Sequence, residues 1–189
     1  MRIIAGKHKG ATLYLPLNKI IRPLKDRARE SIFNLISHSN KIFFQLKDSH
    51  ILDLYAGSGS FGLECLSRGA DKVYFVEKTK DAAETLKKNI EKLKAKKNSN
   101  IFIENVFDLI IKKNIFKNKF DLIFCDPPFK DTNAAKLVQT IYYNNLLKDH
   151  GILILHRNKN IKEKFPDFFK IVDERIYGIS KISFGKFLF

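Results

Sequence analysis

The chain lacks the features that are typical of secreted, membrane-spanning and zinc-binding proteins. It has no tryptophan and only two cysteines, Cys65 and Cys125, which stand far apart and form no CxxC pair. Neither a zinc site nor a disulfide framework is therefore indicated. No apolar run approaches the roughly 18 residues of a membrane helix, and the N-terminus has no apolar signal-peptide core. We expect a cytoplasmic monomer with no membrane partner and no metal.

Acidic residues are scarce relative to basic ones. Thirty-five Lys and Arg stand against 20 Asp and Glu, which gives a net charge of +15. Residues 1–50 alone hold ten basic and three acidic side chains, a local net charge of +7. An AT-rich genome would account for many lysines, but not for Arg22, Arg27 and Arg29. A positive field of this size attracts polyanions, so nucleic acid is the predicted partner.

From residue 50 onward the chain alternates short apolar strands with helices. Strands are predicted over 51–55, 72–76, 101–103, 120–125 and 151–156, followed by two more over 170–176 and 182–188. This alternation predicts βαβ units and a parallel sheet with helices on both faces. Because the last two strands are joined by only a few residues, they are predicted to form an antiparallel hairpin.

The first 49 residues follow a different pattern and are predicted to form a small basic extension. We predict a β-hairpin over 2–15, a helix over 26–37 and a short helix over 41–47. The predicted boundaries are therefore an extension at 1–49 and a main domain at 50–189.

The segment Asp126-Pro127-Pro128-Phe129 follows the fourth strand directly. Two prolines end the strand and make the loop rigid at its carboxyl end, which is the edge where open α/β sheets bind ligands. A carboxylate, a fixed carbonyl and an aromatic face suit a planar ring with an exocyclic amine. The alternative is an ordinary turn with Phe129 packed on the surface. Cys125, just before the loop, is interpreted as a packed and inert thiol.

The first strand leads into a glycine-rich turn in which Gly57, Gly59 and Gly62 satisfy GxGxxG, a pattern shared by several nucleotide cofactors. Asp53 stands four residues before Gly57, where it would repel a pyrophosphate but attract a cation. This favours S-adenosylmethionine (SAM) over a nicotinamide dinucleotide. Glu77, at the end of the second strand, can bind ribose hydroxyls in either case.

The remaining candidates lie at the same edge of the sheet. Asn105 and Val106 follow the third strand, where they would border an adenine, and His156 ends the fifth strand, where a structural role explains it equally well. The predicted SAM-binding residues are Asp53, Tyr55, Gly57, Ser58, Gly59, Glu77, Asn105 and Val106.

With these segments identified, the chain resembles the bacterial 16S rRNA guanine-N2 methyltransferases, which act on the small ribosomal subunit. The resemblance is carried by several motifs along most of the chain. They are Met1-Arg2-Ile3-Ile4-Ala5-Gly6, Arg22-Pro23, Asp26-Arg27-Ala28-Arg29-Glu30, Asp53 to Gly59, Gly62-Leu63-Glu64, Ser67-Arg68-Gly69-Ala70, Asp126 to Phe129 and Tyr177-Gly178. Lys25 departs from the small polar residue that is usual in the family, and Lys78-Thr79-Lys80 is unusually basic.

The resemblance implies a Rossmann-like SAM-dependent methyltransferase fold with a seven-stranded, mostly parallel sheet. It also implies methylation of one guanine in small-subunit rRNA, within an assembled or partly assembled particle. Asp126, Pro127 and Phe129 are then the catalytic candidates. The predicted RNA-contacting residues are Lys7, Lys9, Arg22, Arg27 and Arg29.

Three other functions compete with this prediction. The first is a nicotinamide-dependent oxidoreductase, which Asp53 disfavours. The second is a methyltransferase for DNA adenine or protein glutamine, whose related loops begin with Asn where this chain has Asp126. The third is a non-catalytic RNA-binding assembly factor, against which the intact cofactor loop and Asp126 argue.

Overall fold

A computed structural model describes residues 1–16, 26–42, 44–112 and 114–188 of the chain. The helices are α1 (Asp26–His38), α2 (Ser60–Ser67), α3 (Lys80–Lys92), α4 (Val106–Ile110) and α5 (Ala134–Tyr143). The strands are β1 (His50–Leu54), β2 (Lys72–Val76), β3 (Ser99–Phe102), β4 (Phe120–Cys125), β5 (Leu147–Asn158), β6 (Phe169–Tyr177) and β7 (Ser180–Phe187). Within these described ranges, no helix is long and apolar enough to cross a membrane.

The seven strands form one sheet in the order β3-β2-β1-β4-β5-β7-β6. The five strands from β3 to β5 are parallel to their neighbours, whereas β7 runs antiparallel to both β5 and β6. The predicted fold class, a mostly parallel sheet with a terminal antiparallel pair, is confirmed. The strand order reverses between β1 and β4, and such a switch point opens a crevice at the carboxyl ends of the strands.

The central strands are buried on both faces, so alternate residues enter two separate hydrophobic cores. Ile51, Phe75 and Phe124 belong to the core under α1, α2 and α3. Leu52, Ile123 and Leu155 belong to the core under α4 and α5. The side of the sheet that a residue faces is therefore set by its odd or even place along the strand.

The N-terminal extension packs on the first of these cores. Residues 1–13 form a hairpin with an antiparallel bridge between Arg2 and Thr12. It lies against α2, where Glu64 accepts hydrogen bonds from the backbone N–H groups of Ile4 and Ala5 at 2.7 and 3.0 Å. Gly6 has φ +83°, and a Cβ there would lie 1.9 Å from the Ser67 carbonyl oxygen. Glycine is therefore required for this close contact.

The short helix predicted over 41–47 is wrong for the described part of that range, which holds no helix. Ile42 is buried, and Phe44 and Leu46 pack partly buried against the same core. These apolar side chains therefore contribute to the core without forming a helix. The boundary between the extension and the main domain stays a prediction, since the two parts share a hydrophobic core.

Candidate functional site

Four polar side chains meet at the carboxyl edge of the sheet because of strand register. Leu54 pairs with Val76 on one side and with Cys125 on the other, and Cys125 pairs with Leu155. The residues that follow these last three positions, Glu77, Asp126 and His156, therefore lie at the same level of this edge, with Tyr55, which follows β1, between Glu77 and Asp126. Asp53, Glu77, Asp126 and His156 also share the odd–even parity of the core beneath α2, so they face the same side of the sheet.

Asp53 is a buried carboxylate with few partners. It is 1% exposed, and its Oδ2 accepts one hydrogen bond from the Gly62 N–H at 3.0 Å. Burial, together with the charges of Asp126 and Glu77, raises the pKa of Asp53 to about 8, although the Gly62 hydrogen bond opposes this shift. Desolvation and like charges both disfavour the ionised form. A cationic ligand near Asp53 would relieve both effects.

The glycine turn is fixed by Glu77 and by its own backbone conformation. Glu77 accepts hydrogen bonds from the N–H groups of Gly57 at 2.9 Å and Thr79 at 2.8 Å. Gly59 has φ +80°, and a Cβ there would lie 2.3 Å from Leu86. Only glycine combines that conformation with such close packing. The turn therefore lies directly against the carboxylate predicted to bind the ribose.

Tyr55, Asn105 and Val106, the remaining predicted cofactor residues, have different roles in the fold. Tyr55 has a left-handed φ of 62°, and burial, with Cys125 and Asp131 nearby, raises the pKa of its hydroxyl. Asn105 caps α4 by accepting a hydrogen bond from the Phe107 N–H at 2.9 Å, and Val106 is buried. Contact of these three residues with the cofactor stays a prediction.

The Asp126 loop is positioned by the strand beside it. Asp126 Oδ1 lies 2.7 Å from His156 Nδ1. The Phe129 ring meets the His156 ring edge to face, with centroids 5.3 Å apart. Pro127 is buried, and the Pro128 carbonyl accepts a hydrogen bond from the Asp131 N–H at 2.8 Å, which closes a turn. The predicted loop is thus a compact structure at the same edge as the glycine turn.

Arg157 is a contributor to this loop that sequence reasoning did not identify. It is fully buried, donates to the Asp131 carbonyl, and donates through Nε to Glu163 at 2.8 Å. The one sequence signal for it was a charged residue placed directly after His156 at the end of an apolar strand.

Cys125 is also buried, and burial raises the pKa of its thiol. This agrees with the interpretation of Cys125 as packed and inert.

The predicted RNA-contacting residues divide into exposed and buried ones. Lys7 and Lys9 lie exposed on the hairpin turn, and Arg27 lies exposed in the first turn of α1. Arg22 lies outside the described residues. Arg29 is fully buried and contacts the Arg2 carbonyl and Asp26, with Glu64 3.9 Å away. Because Arg29 has no surface left for a phosphate, its RNA-contact prediction is replaced by a structural role.

Asn89 of α3 joins the extension to the cofactor turn. Its amide exchanges two hydrogen bonds with the backbone of Tyr14, at 2.8 and 3.1 Å. It donates a further one to the Ser58 carbonyl at 2.9 Å. Asn89 is completely buried, and these three hydrogen bonds satisfy its side-chain amide away from water. The end of the hairpin segment is therefore held next to the glycine turn.

The chemistry of this edge suits a ligand that carries positive charge. In a chain of net charge +15, three carboxylates, Asp53, Glu77 and Asp126, are gathered here. They would repel a pyrophosphate and attract the amino and sulfonium groups of SAM.

No cluster of three or more metal-ligating side chains occurs among the residues described. A separate cleft of about 650 Å³, between α1 and β6, includes none of the predicted site residues.

The chain is similar to known proteins along most of its length. The family model described as conserved hypothetical protein 95 matches residues 1–186. Ribosomal RNA small subunit methyltransferase D of Haemophilus influenzae is 33% identical over 180 residues, covering 95% of this chain and 90% of that protein. The Escherichia coli K12 protein of the same name is 35% identical over 153 residues, covering 81% and 69%. The solved Escherichia coli structure yhhF, provisionally assigned as a methyltransferase, has a TM-score of 0.84 at 26% identity and covers 99% and 97%.

Proposed function

This chain belongs to the family of the ribosomal RNA small subunit methyltransferases D, and on that premise we propose that it transfers a methyl group from SAM to the exocyclic N2 of a guanine in small-subunit rRNA. Methylation of ribosomal RNA is supported by the relatives and by the methyltransferase fold. The choice of guanine N2 is carried by one observation, the fixed Asp126 loop beside the Asp53 carboxylate. The cytoplasmic location predicted from the sequence agrees with such a substrate.

The cofactor residues of the proposed enzyme are Asp53, the turn from Gly57 to Gly59, and Glu77. When bound, SAM supplies an electrophilic methyl carbon on a sulfonium. Glu77 and Asp126, together with Asp53 once a bound cation favours its ionised form, supply negative potential in a site where desolvation strengthens it. Glu77 holds the glycine turn and offers carboxylate oxygens for ribose hydroxyls. Asn105 and Val106 are proposed to border the adenine.

The acceptor residues are Asp126, Pro127 and Phe129. Guanine N2 is a weak nucleophile because its lone pair is delocalised into the ring, and the base must leave its stack to be reached. Phe129 offers a face for the flipped base. The Asp126 carboxylate and the Pro127 carbonyl accept hydrogen bonds from the amine protons, which favours a pyramidal nitrogen with a directed lone pair. Catalysis then depends chiefly on positioning and electrostatics, and the departing proton goes to Asp126 or to water.

The exposed cations of the extension serve RNA binding in this proposal. Lys7 and Lys9 on the hairpin and Arg27 on α1 offer phosphate contacts, and Arg forks suit phosphate oxygens well. Arg22 is proposed to contribute in the same way. The substrate is proposed to be an assembled or partly assembled subunit, since the relatives are named for the small ribosomal subunit.

Methyl transfer to small subunits from cells that lack the activity tests the proposal. We expect N2-methylguanosine in nucleoside mass spectra after incubation with SAM, and a loss of kcat on the order of 10²–10⁴ for Asp126→Ala. Asp167→Ala, an exposed carboxylate in a different segment, is the matched control and should keep wild-type activity. Methylation at another atom or another base, or full activity of Asp126→Ala, would contradict the proposal. A larger thermal shift with NAD than with SAM would favour the oxidoreductase instead.

A further inference from the structure

Near the end of strand β5 lie two consecutive buried polar residues, His156 and Arg157, which are 4% and 1% exposed. They point to opposite faces of the sheet because side chains alternate along a strand. Burying such groups is costly unless they find partners. Both find their partners in the same place, the Asp126–Asp131 loop.

His156 contacts the beginning of the loop on the face that also carries Asp53. Its Nδ1 lies 2.7 Å from Asp126 Oδ1, a length typical of a strong hydrogen bond to a carboxylate. Because a carboxylate has no proton to give, the Nδ1–H is the donor. The other ring nitrogen, Nε2, is buried and has no partner among the described residues. The imidazole also packs against the Phe129 ring.

Arg157 contacts the far end of the same loop from the opposite face. Its guanidinium donates to the Asp131 carbonyl and to Glu163. Asp131 in turn accepts a hydrogen bond from the Asn133 N–H at 2.7 Å, just before α5. The loop is therefore held at both ends by adjacent residues of one strand, but only His156 touches a side chain that the proposed reaction uses.

We infer that His156 is a positioning residue for Asp126. Its Nδ1–H occupies Oδ1 and fixes the rotation of the carboxylate, so that Oδ2 is left for the acceptor amine. The inference rests on the proposed function, because it assigns His156 a role within that site. Misplacing a catalytic group by about 1 Å can lower a rate on the order of 100-fold.

Three substitutions of His156 separate positioning from packing. The amide nitrogen of Asn stands as many bonds from Cα as Nδ1, whereas that of Gln stands as far as Nε2. We expect His156→Leu to lower kcat by roughly 10- to 100-fold, with the KM for rRNA and the Kd for SAM nearly unchanged. His156→Asn should recover most of kcat and His156→Gln should not. Equal rates for the Asn and Gln variants at matched thermal stability would overturn the inference.

A double-mutant cycle with Asp126 tests the route by which His156 acts. Residues that work as a unit show strongly non-additive losses. In the Asp126→Ala background, His156→Leu should therefore cause no further loss of kcat. Multiplicative losses would show that His156 acts independently of Asp126, and would overturn the inference.

A measurement without substrate separates failure of this inference from failure of the proposed function. We expect a downfield Nδ1 proton of His156 in the NMR spectrum of the wild-type protein, protected from exchange and lost in Asp126→Ala. If that proton is present but no N2-methylguanosine forms, the proposed function has failed and the contact stands. If N2-methylguanosine forms and His156→Leu keeps wild-type kcat, the proposed function stands and the positioning role is wrong.

Discussion

Two buried carboxylates, Glu64 under the N-terminal hairpin and Asp53 at the carboxyl edge of the sheet, have opposite surroundings. Glu64 accepts hydrogen bonds from the N–H groups of Ile4 and Ala5 and from Arg68 Nε, the last at 2.7 Å. Arg29 lies a further 3.9 Å from its Oε2. Asp53 has a single backbone donor, Gly62, and two acidic neighbours. Both side chains are almost completely inaccessible to water.

This difference distinguishes a carboxylate that holds the fold from one that is set up for a ligand. Removing one member of a buried ion pair leaves its partners without a counter-charge or an acceptor, so Glu64 is needed for stability. A buried carboxylate with too few donors destabilises the protein that carries it, and such groups cluster at functional sites. The extension is therefore attached through a carboxylate with several hydrogen-bond donors, Glu64, whereas Asp53 at the cofactor edge has only one backbone donor. Substitution of Glu64 should lower the stability of the protein, whereas substitution of Asp53 should raise it.

The largest effect is expected for Glu64→Ala. The substitution removes the acceptor of the Ile4 and Ala5 N–H groups and, among the described residues, leaves Asp26 as the carboxylate partner of buried Arg29. Loss of one partner of a buried pair costs about 3–5 kcal/mol, and the Tm should fall by about 10 °C. Thermal and urea unfolding measure the change, and hydrogen exchange should localise it to residues 1–16.

Glu84→Ala is the matched control for that experiment, because Glu84 forms an exposed pair with Lys87 on α3. Exposed pairs of this kind contribute little to stability, so its Tm should stay close to wild type. An equal Tm for the two variants would mean that the extension is not attached through Glu64. Faster hydrogen exchange in Glu64→Ala that is spread evenly over β1 and β4 would also mean that the extension is not attached through Glu64.

Asp53→Asn should change the free energy of unfolding in the opposite direction and stabilise the protein at pH 8. With a folded-state pKa of about 8 against about 4 in the unfolded chain, the folded protein keeps a proton that the unfolded chain releases between those pH values. The free energy of unfolding of the wild type should therefore fall as pH rises from about 4 to about 8. The Asn variant lacks this slope and should be the more stable protein at pH 8. Urea unfolding across pH 5 to 8 measures it.

The same substitution should weaken SAM binding. Loss of a charged contact of roughly 1.5–3 kcal/mol corresponds to a drop in affinity of about 10- to 100-fold, measurable by calorimetry. An Asp53→Asn protein that is less stable than wild type at pH 8, or one that binds SAM equally well, would show that Asp53 is a structural carboxylate like Glu64.

Much of the cofactor edge could be predicted because it depends on local pattern. Asp53, Glu77 and Asp126 each stand at or just after the end of an apolar run, and the parallel sheet brings those ends together. The family prediction was confirmed, since its motifs extend along most of the chain.

What could not be predicted depends on long-range contacts. Arg29 resembles its exposed neighbour Arg27 in sequence, and only the packing of α1 on α2 buries one of them beside Glu64. Asn89 sits in a lysine-rich helix, yet it bonds to Tyr14, 75 residues away. Arg157 contacts the Asp131 carbonyl, 26 residues away in another loop. In each of these contacts the partner is far along the chain, so neither periodicity nor spacing identifies it.

The smallest effect is expected on the exposed side of the extension. Lys7→Ala with Lys9→Ala should weaken rRNA binding and lower the slope of log affinity against log salt by roughly 1 to 2, as for one or two lost phosphate contacts. SAM affinity should not change, because neither lysine contacts the cofactor edge. Lys96→Ala with Lys97→Ala, an equally exposed pair after α3, is the charge-matched control. If both double variants reduce the slope equally, the net charge of +15 attracts RNA without a defined binding surface. The extension would then have no specific role in RNA binding.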